Sequence, residues 1–181
     1  MKSEKVNLEF LDRNKVLFKC HYQVPKERLW NAISKTEELN QWFMKTEWDF
    51  REGGKFTFEG GWEGWIEKLN EFEFVQFNSS AKSFTRFDLK PAENGTELHL
   101  TDQIPLDLVA PPDKNIHNIQ PGGQGTHWVG LLAGWDDFLL ALESHLANKE
   151  IEDHFDHLCL KYKSLLEKKY ESNWKNTSNK H

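Results

Sequence analysis

HWVGLLAGWDDFLLALESHLA, residues 127–147, is the stretch on which the fold turns. Trp128, Leu131, Trp135, Phe138, Leu142 and Leu146 recur at steps of three and four, the period of a helix with one apolar face. A helix of this length carrying tryptophans on that face must lie on something large. Gly130 and Gly134, four residues apart, leave a groove along one side, either for close backbone approach or for space beside the helix.

What the helix lies on is written upstream. Phe18, Cys20, Tyr22 and Val24 alternate along Val16–Val24, which reads as a strand with one buried face, and Pro25 stops it. Proline at the first helical position followed by Lys26–Ile33 predicts a short helix with Leu29, Trp30 and Ile33 inward. A second short helix is expected to carry Leu39, Trp42 and Phe43, with Ser34 and Glu37 at capping-box spacing and Thr36 as an alternative cap. From Thr46 to Asp102 the pattern is one of strands. Trp48–Phe50 and Lys55–Glu59 flank Arg51-Glu52-Gly53-Gly54, a hairpin. Trp62–Leu69 and Phe72–Phe77 read as one long or bent strand, and Ser83–Leu89 as another. Asn94-Gly95 predicts the tight turn that leads into Thr96–Asp102.

Downstream of these strands, residues 103–126 hold Pro105, Pro111, Pro112, Pro121 and Gly122, Gly123 and Gly125, and predict a long loop. Gly122-Gly123-Gln124-Gly125 lacks the lysine and hydroxyl residue of a phosphate-binding loop. After Asn148 a further stripe, Ile151, Phe155, Leu158, Tyr162 and Leu165, predicts an extra helix, with Glu150, Glu152, Asp153 and Asp156 in its first turns and lysines in its last. Residues 173–181 are expected to fray. The expected organisation is one domain over 1–147 and a helical extension over 148–181.

Composition narrows the function classes. The 181 residues are 38% hydrophobic and 29% charged, which argues against a membrane-spanning chain. Eight Trp, 13 Phe and 3 Tyr supply the interior instead. Each buries roughly 150–250 Å², so the expected core is aromatic rather than aliphatic. Lys and Arg total 23 against 29 Asp and Glu, a net charge of −6, and the charges are interspersed. Neither nucleic acid nor a membrane surface is an expected partner. Cys20 and Cys159 stand far apart with no Cys-x-x-Cys, so no disulfide scaffold or structural zinc is expected. No secretory signal is read at the N-terminus, and the expected location is the cytoplasm.

Strand, two short helices, about six antiparallel strands and a long C-terminal helix, a sheet of about six to seven strands in all, is an α+β order that resembles the helix-grip fold, a curved sheet wrapped around that helix. Val24-Pro25-Lys26-Glu27-Arg28-Leu29-Trp30-Asn31-Ala32-Ile33 resembles the opening of the START-like SRPBCC superfamily, in its branch similar to the activator of the heat-shock-protein-90 ATPase. Leu39-Asn40-Gln41-Trp42-Phe43, Arg51-Glu52-Gly53-Gly54-Lys55-Phe56 and Gly134-Trp135 with Phe138, Leu139 and Leu142 are similar to that branch's later motifs. The resemblance covers residues 14–147. The loop at 103–126 is longer than in the branch, and 148–181 have no counterpart in its minimal members.

The resemblance implies an apolar cavity between sheet and long helix, for which Trp30, Trp42, Phe43, Phe58, Trp65, Phe74, Trp128, Leu131 and Trp135 are the candidate lining. Arg86 and His127 are the candidate polar groups at its mouth, with His99, Asp102 and Asp136 nearby in the same reading. None has a catalytic spacing, and there is no nucleophile elbow or Cys/His pair. Glu150, Asp153, His154 and His157 would share a helical face but lack a metal-binding motif, so no metal and no cofactor is expected. The tail stripe is open to two uses: packing on its own domain, or pairing two copies through residues 150–170.

The implied function is non-catalytic binding of a small hydrophobic or aromatic molecule. The alternative is an enzyme similar to the superfamily's polyketide cyclases and aromatases, with Arg86, His99 and His127 moving protons. A co-chaperone-like module is a further alternative, against which Asn173-Trp174 is the only Asn-Trp pair in the chain.

Overall fold

Alternating residues make the sheet. In the computed structural model, which describes the backbone of residues 6–105 and 127–177 and the side chains of 6–105 and 128–169, eight strands form one antiparallel sheet in the order β1-β2-β8-β7-β6-β5-β4-β3. They are β1 (Val6–Asp12), β2 (Lys15–Tyr22), β3 (Thr46–Trp48), β4 (Lys55–Phe58), β5 (Trp62–Asn70), β6 (Phe74–Ser80), β7 (Ser83–Ala92) and β8 (Gly95–Gln103). The helices are α1 (Lys26–Ser34), α2 (Thr36–Trp42), α3 (His127–Leu146) and α4 (Phe155–Thr177). This is the expected helix-grip, α+β element order with more strands than expected. β1 was hidden among polar residues, though Val6, Leu8 and Phe10 do alternate, and the span Trp62–Phe77 is two strands because Phe72 turns the chain with a left-handed φ of 60°.

The chain divides into two compact units, residues 1–105 with 138–152, and residues 106–137 with 153–181. In the first unit, register places the buried residues in rows across the strands. Phe18 pairs with Leu100, Leu100 with Phe87, and Phe87 with Val75, all on one face. Burying each such side chain contributes about 1.5–3 kcal/mol, and the rows share the gain across the sheet. Tyr22 fastens β2 to the second half of α3 by donating its hydroxyl to the Leu139 carbonyl at 3.1 Å.

Pro25 stands at the N-cap of α1 and not at its first turn, its carbonyl accepting from Leu29 N–H at 3.1 Å. The predicted capping box is absent: Ser34 Oγ donates to the Trp30 carbonyl at 2.6 Å, and Lys35 occupies the N-cap of α2. The β7–β8 turn is centred on Glu93-Asn94 rather than Asn94-Gly95, since Ala92 pairs with Gly95. Asn94 takes a φ of 58° and Gly95 one of 155°, and Gly95 starts β8 against β2, where a Cβ would run into the Tyr22 carbonyl oxygen.

In the second unit, α4 begins at Phe155, later than the stripe predicts, so Ile151 lies outside it and Glu150, Glu152 and Asp153 precede its first turn. Leu158, Tyr162 and Leu166 are buried, a four-residue repeat, whereas Leu165 is at the edge and Leu160 is 68% exposed. Two carboxylates satisfy the start of α4. Asp137 Oδ1 accepts from His154 N–H at 3.0 Å and Asp153 Oδ1 from Phe155 N–H at 2.9 Å, negative groups placed where the helix dipole favours them. Burial pushes the Asp137 carboxyl above the usual aspartate range despite that hydrogen bond, and the charge of Asp153 adds to the effect. α4 ends at Thr177. The loop read at 103–126 lies, from residue 106, outside the described residues, as do Gly122–Gly125.

Candidate functional site

Phe56 and Phe58, two residues apart on β4, point the same way and stack at 4.6 Å between ring centroids. Strand pairing then brings further rings onto that face. Trp62, opposite Phe58 in the register, meets it edge-on at 5.1 Å. Phe77 of β6 lies 5.5 Å from Phe56 and 5.9 Å from Trp62, and Phe87 of β7 continues the series at 5.5 Å from Phe77. Phe43, just after α2, joins it from above at 5.3 Å from Phe58, and itself touches Trp42 at 5.6 Å and Phe138 of α3 at 4.4 Å. Most of these contacts are edge-to-face or tilted, the arrangements the ring quadrupole favours. The Trp42 indole N–H is satisfied by the Ala32 carbonyl at 2.9 Å.

A second branch reaches α1. Trp48 links Phe58 to Phe50, and Trp30 sits 5.9 Å from both Phe50 and Phe72. Of the expected lining residues, the first unit therefore brings together Trp30, Trp42, Phe43 and Phe58.

Three others, Trp65 and Phe74 from the expected lining and Arg86 from the expected mouth, are on the opposite face of the sheet, and their assignment to the cavity is corrected. Trp65 pairs with Lys55 and Asn78, and its indole N–H donates to Glu67 at 2.6 Å. Phe74 pairs with Asp88. Arg86 lies 3.8 Å over the Phe74 ring and forms two hydrogen bonds with Asp88, at 2.7 and 2.8 Å, a closed arrangement with its charge neutralised. His99 shares that outer face and bonds Glu97 at 2.8 Å. Trp128, Leu131 and Trp135 belong to the second unit, where both tryptophans are buried and Leu131 is half-buried. The side chain of His127 lies outside the described residues.

Phe56, Trp62, Phe77, Phe87 and Phe138 were missed as site candidates. The alternation Phe56-Thr57-Phe58 was available to find the first. Trp62 and Trp65 compete for the same role, and only the register set after Gly60-Gly61 decides that Trp62, Gly64 and Ile66 face inward.

Polar groups on the inner face are few. Thr85 Oγ1 donates to Asp102 Oδ1 at 2.5 Å, and both residues are buried. At the far end of α3, Glu38 Oε2 accepts from Arg28 at 2.9 Å and from His145 at 2.6 Å. Burial raises the Glu38 carboxyl, but the hydrogen bonds from His145 and Arg28 and the guanidinium charge outweigh it and hold the group below its ordinary value. Among the described residues no group of three His, Cys, Asp or Glu is placed to hold a metal ion. Glu150 and Asp153 precede α4, so the four-residue helical face expected with His154 and His157 does not form. Among the described residues no helix is long and apolar enough to cross a membrane.

The chain's backbone is similar to that of several solved structures. The solution structure of CalU16 from Micromonospora echinospora superposes with a TM-score of 0.67 at 16% identity, covering 95% of this chain and 99% of that one. A protein of unknown function from Enterococcus faecalis, EF2215, gives 0.63 at 17% identity over 90% of each chain. DynU16, a protein in the dynemicin biosynthetic locus, gives 0.59 at 17% identity over 77% of this chain and 49% of that one. At these identities the likeness shows the fold. No curated protein matches the chain. The fold is of ligand-binding type. The family model described as Activator of Hsp90 ATPase homolog 1-like protein matches residues 23–147, and the chain belongs to that family.

Proposed function

We propose that this protein binds a small hydrophobic or aromatic molecule against the inner face of its sheet, without catalysing a reaction, and that it does so in the cytoplasm, with Cys20 and Cys159 outside any disulfide. The observation that carries this reading is the continuous ring series from Phe43 through Phe58 and Trp62 to Phe87. Rings give contact area at low entropic cost, and such a face recognises an apolar or aromatic surface better than it recognises a charged one. The test is mass spectrometry of protein purified from its own host, first native and then denaturing. A small molecule released reproducibly on denaturation supports the reading; a clean apo spectrum from several preparations, with no binding of neutral aromatic probes, overturns it.

The reading as a cyclase-like enzyme keeps one supporting observation, the buried Thr85–Asp102 pair on the inner face. Its other expected proton carriers fare worse. Arg86 and His99 are on the outer face, engaged with Asp88 and Glu97. The reading stands or falls on Asp102→Asn, which must abolish turnover of a polyketide-like substrate while leaving its binding intact.

A further inference from the structure

The second unit holds a buried carboxylate whose two oxygens are bonded unequally among the described residues. Asp136 is 0% exposed. Its Oδ2 accepts from the Lys161 ammonium at 2.6 Å and from the Tyr162 hydroxyl at 2.8 Å. Its Oδ1, equally buried, accepts from no group among the described residues. A carboxylate oxygen removed from water and left without a donor is costly, because no protein contact replaces its hydration.

The same residues say what kind of group completes it. Lys161 already supplies the counter-charge, so a second cation would put excess positive charge among apolar side chains. Oδ1 therefore calls for a neutral donor. Lys161 also lies 4.8 Å over the Tyr162 ring, so the two donors and the ring hold the carboxylate in one orientation and fix where Oδ1 points. The buried residues of this unit include Trp128, Val129, Leu132, Trp135 and Leu158, which favour an apolar body behind the donor.

We propose that Asp136 Oδ1 is the acceptor of a small-molecule site in the second unit, and that its ligand is a neutral aromatic molecule bearing a hydroxyl, of the phenol class. Ring stacking alone does not require a hydroxyl. Asp136 does. The inference is independent of the ring series in the first unit.

The test compares two probes of similar size, 1-naphthol, which donates a hydrogen bond, and 1-methoxynaphthalene, which does not. Calorimetry on the full chain is expected to show 1-naphthol binding at least tenfold more tightly. In Asp136→Asn the amide oxygen keeps Lys161 and Tyr162, and the amide NH2, a donor, takes the place of Oδ1. The ratio is then expected to collapse to within threefold, while Phe58→Leu in the first unit leaves it unchanged. Equal affinities in the wild-type protein, no binding of either probe, or a ratio that survives Asp136→Asn overturns the proposal. Since that variant can fail to fold, the wild-type complex gives a separate reading by NMR. Cross-relaxation from bound 1-naphthol to Trp135 and Leu132 is expected; contacts confined to Phe58 and Trp62 overturn the assignment and leave the first-unit reading standing.

Discussion

The Tyr22 hydroxyl donates to the main-chain carbonyl of Leu139 at 3.1 Å, joining residues 117 apart in sequence. Both groups are buried, so the bond fastens β2 to α3 where water cannot compete. Tyr22→Phe keeps the ring and removes the bond. It is expected to lower stability by about 0.5–1.5 kcal/mol, the net worth of a typical internal hydrogen bond. Urea unfolding checks this through a lower midpoint at an unchanged slope; an unchanged midpoint shows that the bond contributes nothing.

Glu38 links α1, α2 and the last turn of α3 through Arg28 and His145. Its carboxyl is held below the ordinary value of 4.5, so the folded state binds that proton less readily than the unfolded chain. The stabilisation is therefore fully present above pH 4.5, and is lost as pH falls through the depressed folded value. Glu38→Gln is expected to be less stable than wild type at pH 7, with the two curves converging in acid. Both side chains that bond Glu38 are partly exposed, so the gap at neutral pH is modest. Parallel curves down to pH 3 would show that Glu38 carries no linked proton.

Much of the fold was legible because periodicity is a local property. The three- and four-residue steps of Trp128 to Leu146 give α3, and the alternation of Phe18, Cys20 and Tyr22 gives β2, each without knowledge of any partner. What failed needed a partner. Arg86 is an attractive polar candidate in isolation, yet its pairing with Gln76 and Thr101 sends it to the outer face, and Phe74 follows for the same reason. A one-residue difference in register inverts a strand, and nothing near Gly60-Gly61 announces whether Trp62 or Trp65 points inward. The start of α4 was misplaced because Ile151 fits the helical period while the capping groups, Asp137 and Asp153, act at Phe155.

Two glycines sit in opposite surroundings, and Gly95 also holds a positive φ of 155°. At Gly95 a Cβ would run into the Tyr22 carbonyl oxygen, so Gly95→Ala forces β8 away from β2. It is expected to destabilise by more than about 1 kcal/mol. At Gly130, inside α3, a Cβ meets nothing within 4 Å among the described residues. Gly130→Ala is expected to stabilise by about 0.5–1 kcal/mol, since glycine in a helix interior loses more backbone freedom on folding than alanine. Thermal unfolding of the two variants should shift the midpoint in opposite directions, and a loss at Gly130 would show that the space beside it is filled in solution.

Trp62 and Trp65 provide the sharpest contrast for the ligand face. Trp62 touches Phe56, Phe58 and Phe77, whereas Trp65 engages Glu67 on the other side of the sheet. Replacing Trp62 by Leu removes one edge of the ring series and leaves an apolar side chain, so the variant is expected to fold and to bind the neutral probe N-phenyl-1-naphthylamine at least fivefold more weakly. Replacing Trp65 by Leu is expected to change the affinity less than twofold, since no ring of the inner face loses a contact. Fluorescence titration reads both. Because the two positions are three residues apart on one strand, a general loosening of β5 would weaken both variants alike, so only an unequal effect identifies the inner face as the one that meets the ligand. Equal losses, or a larger loss at Trp65, would move the binding surface to the face carrying Phe74 and Arg86.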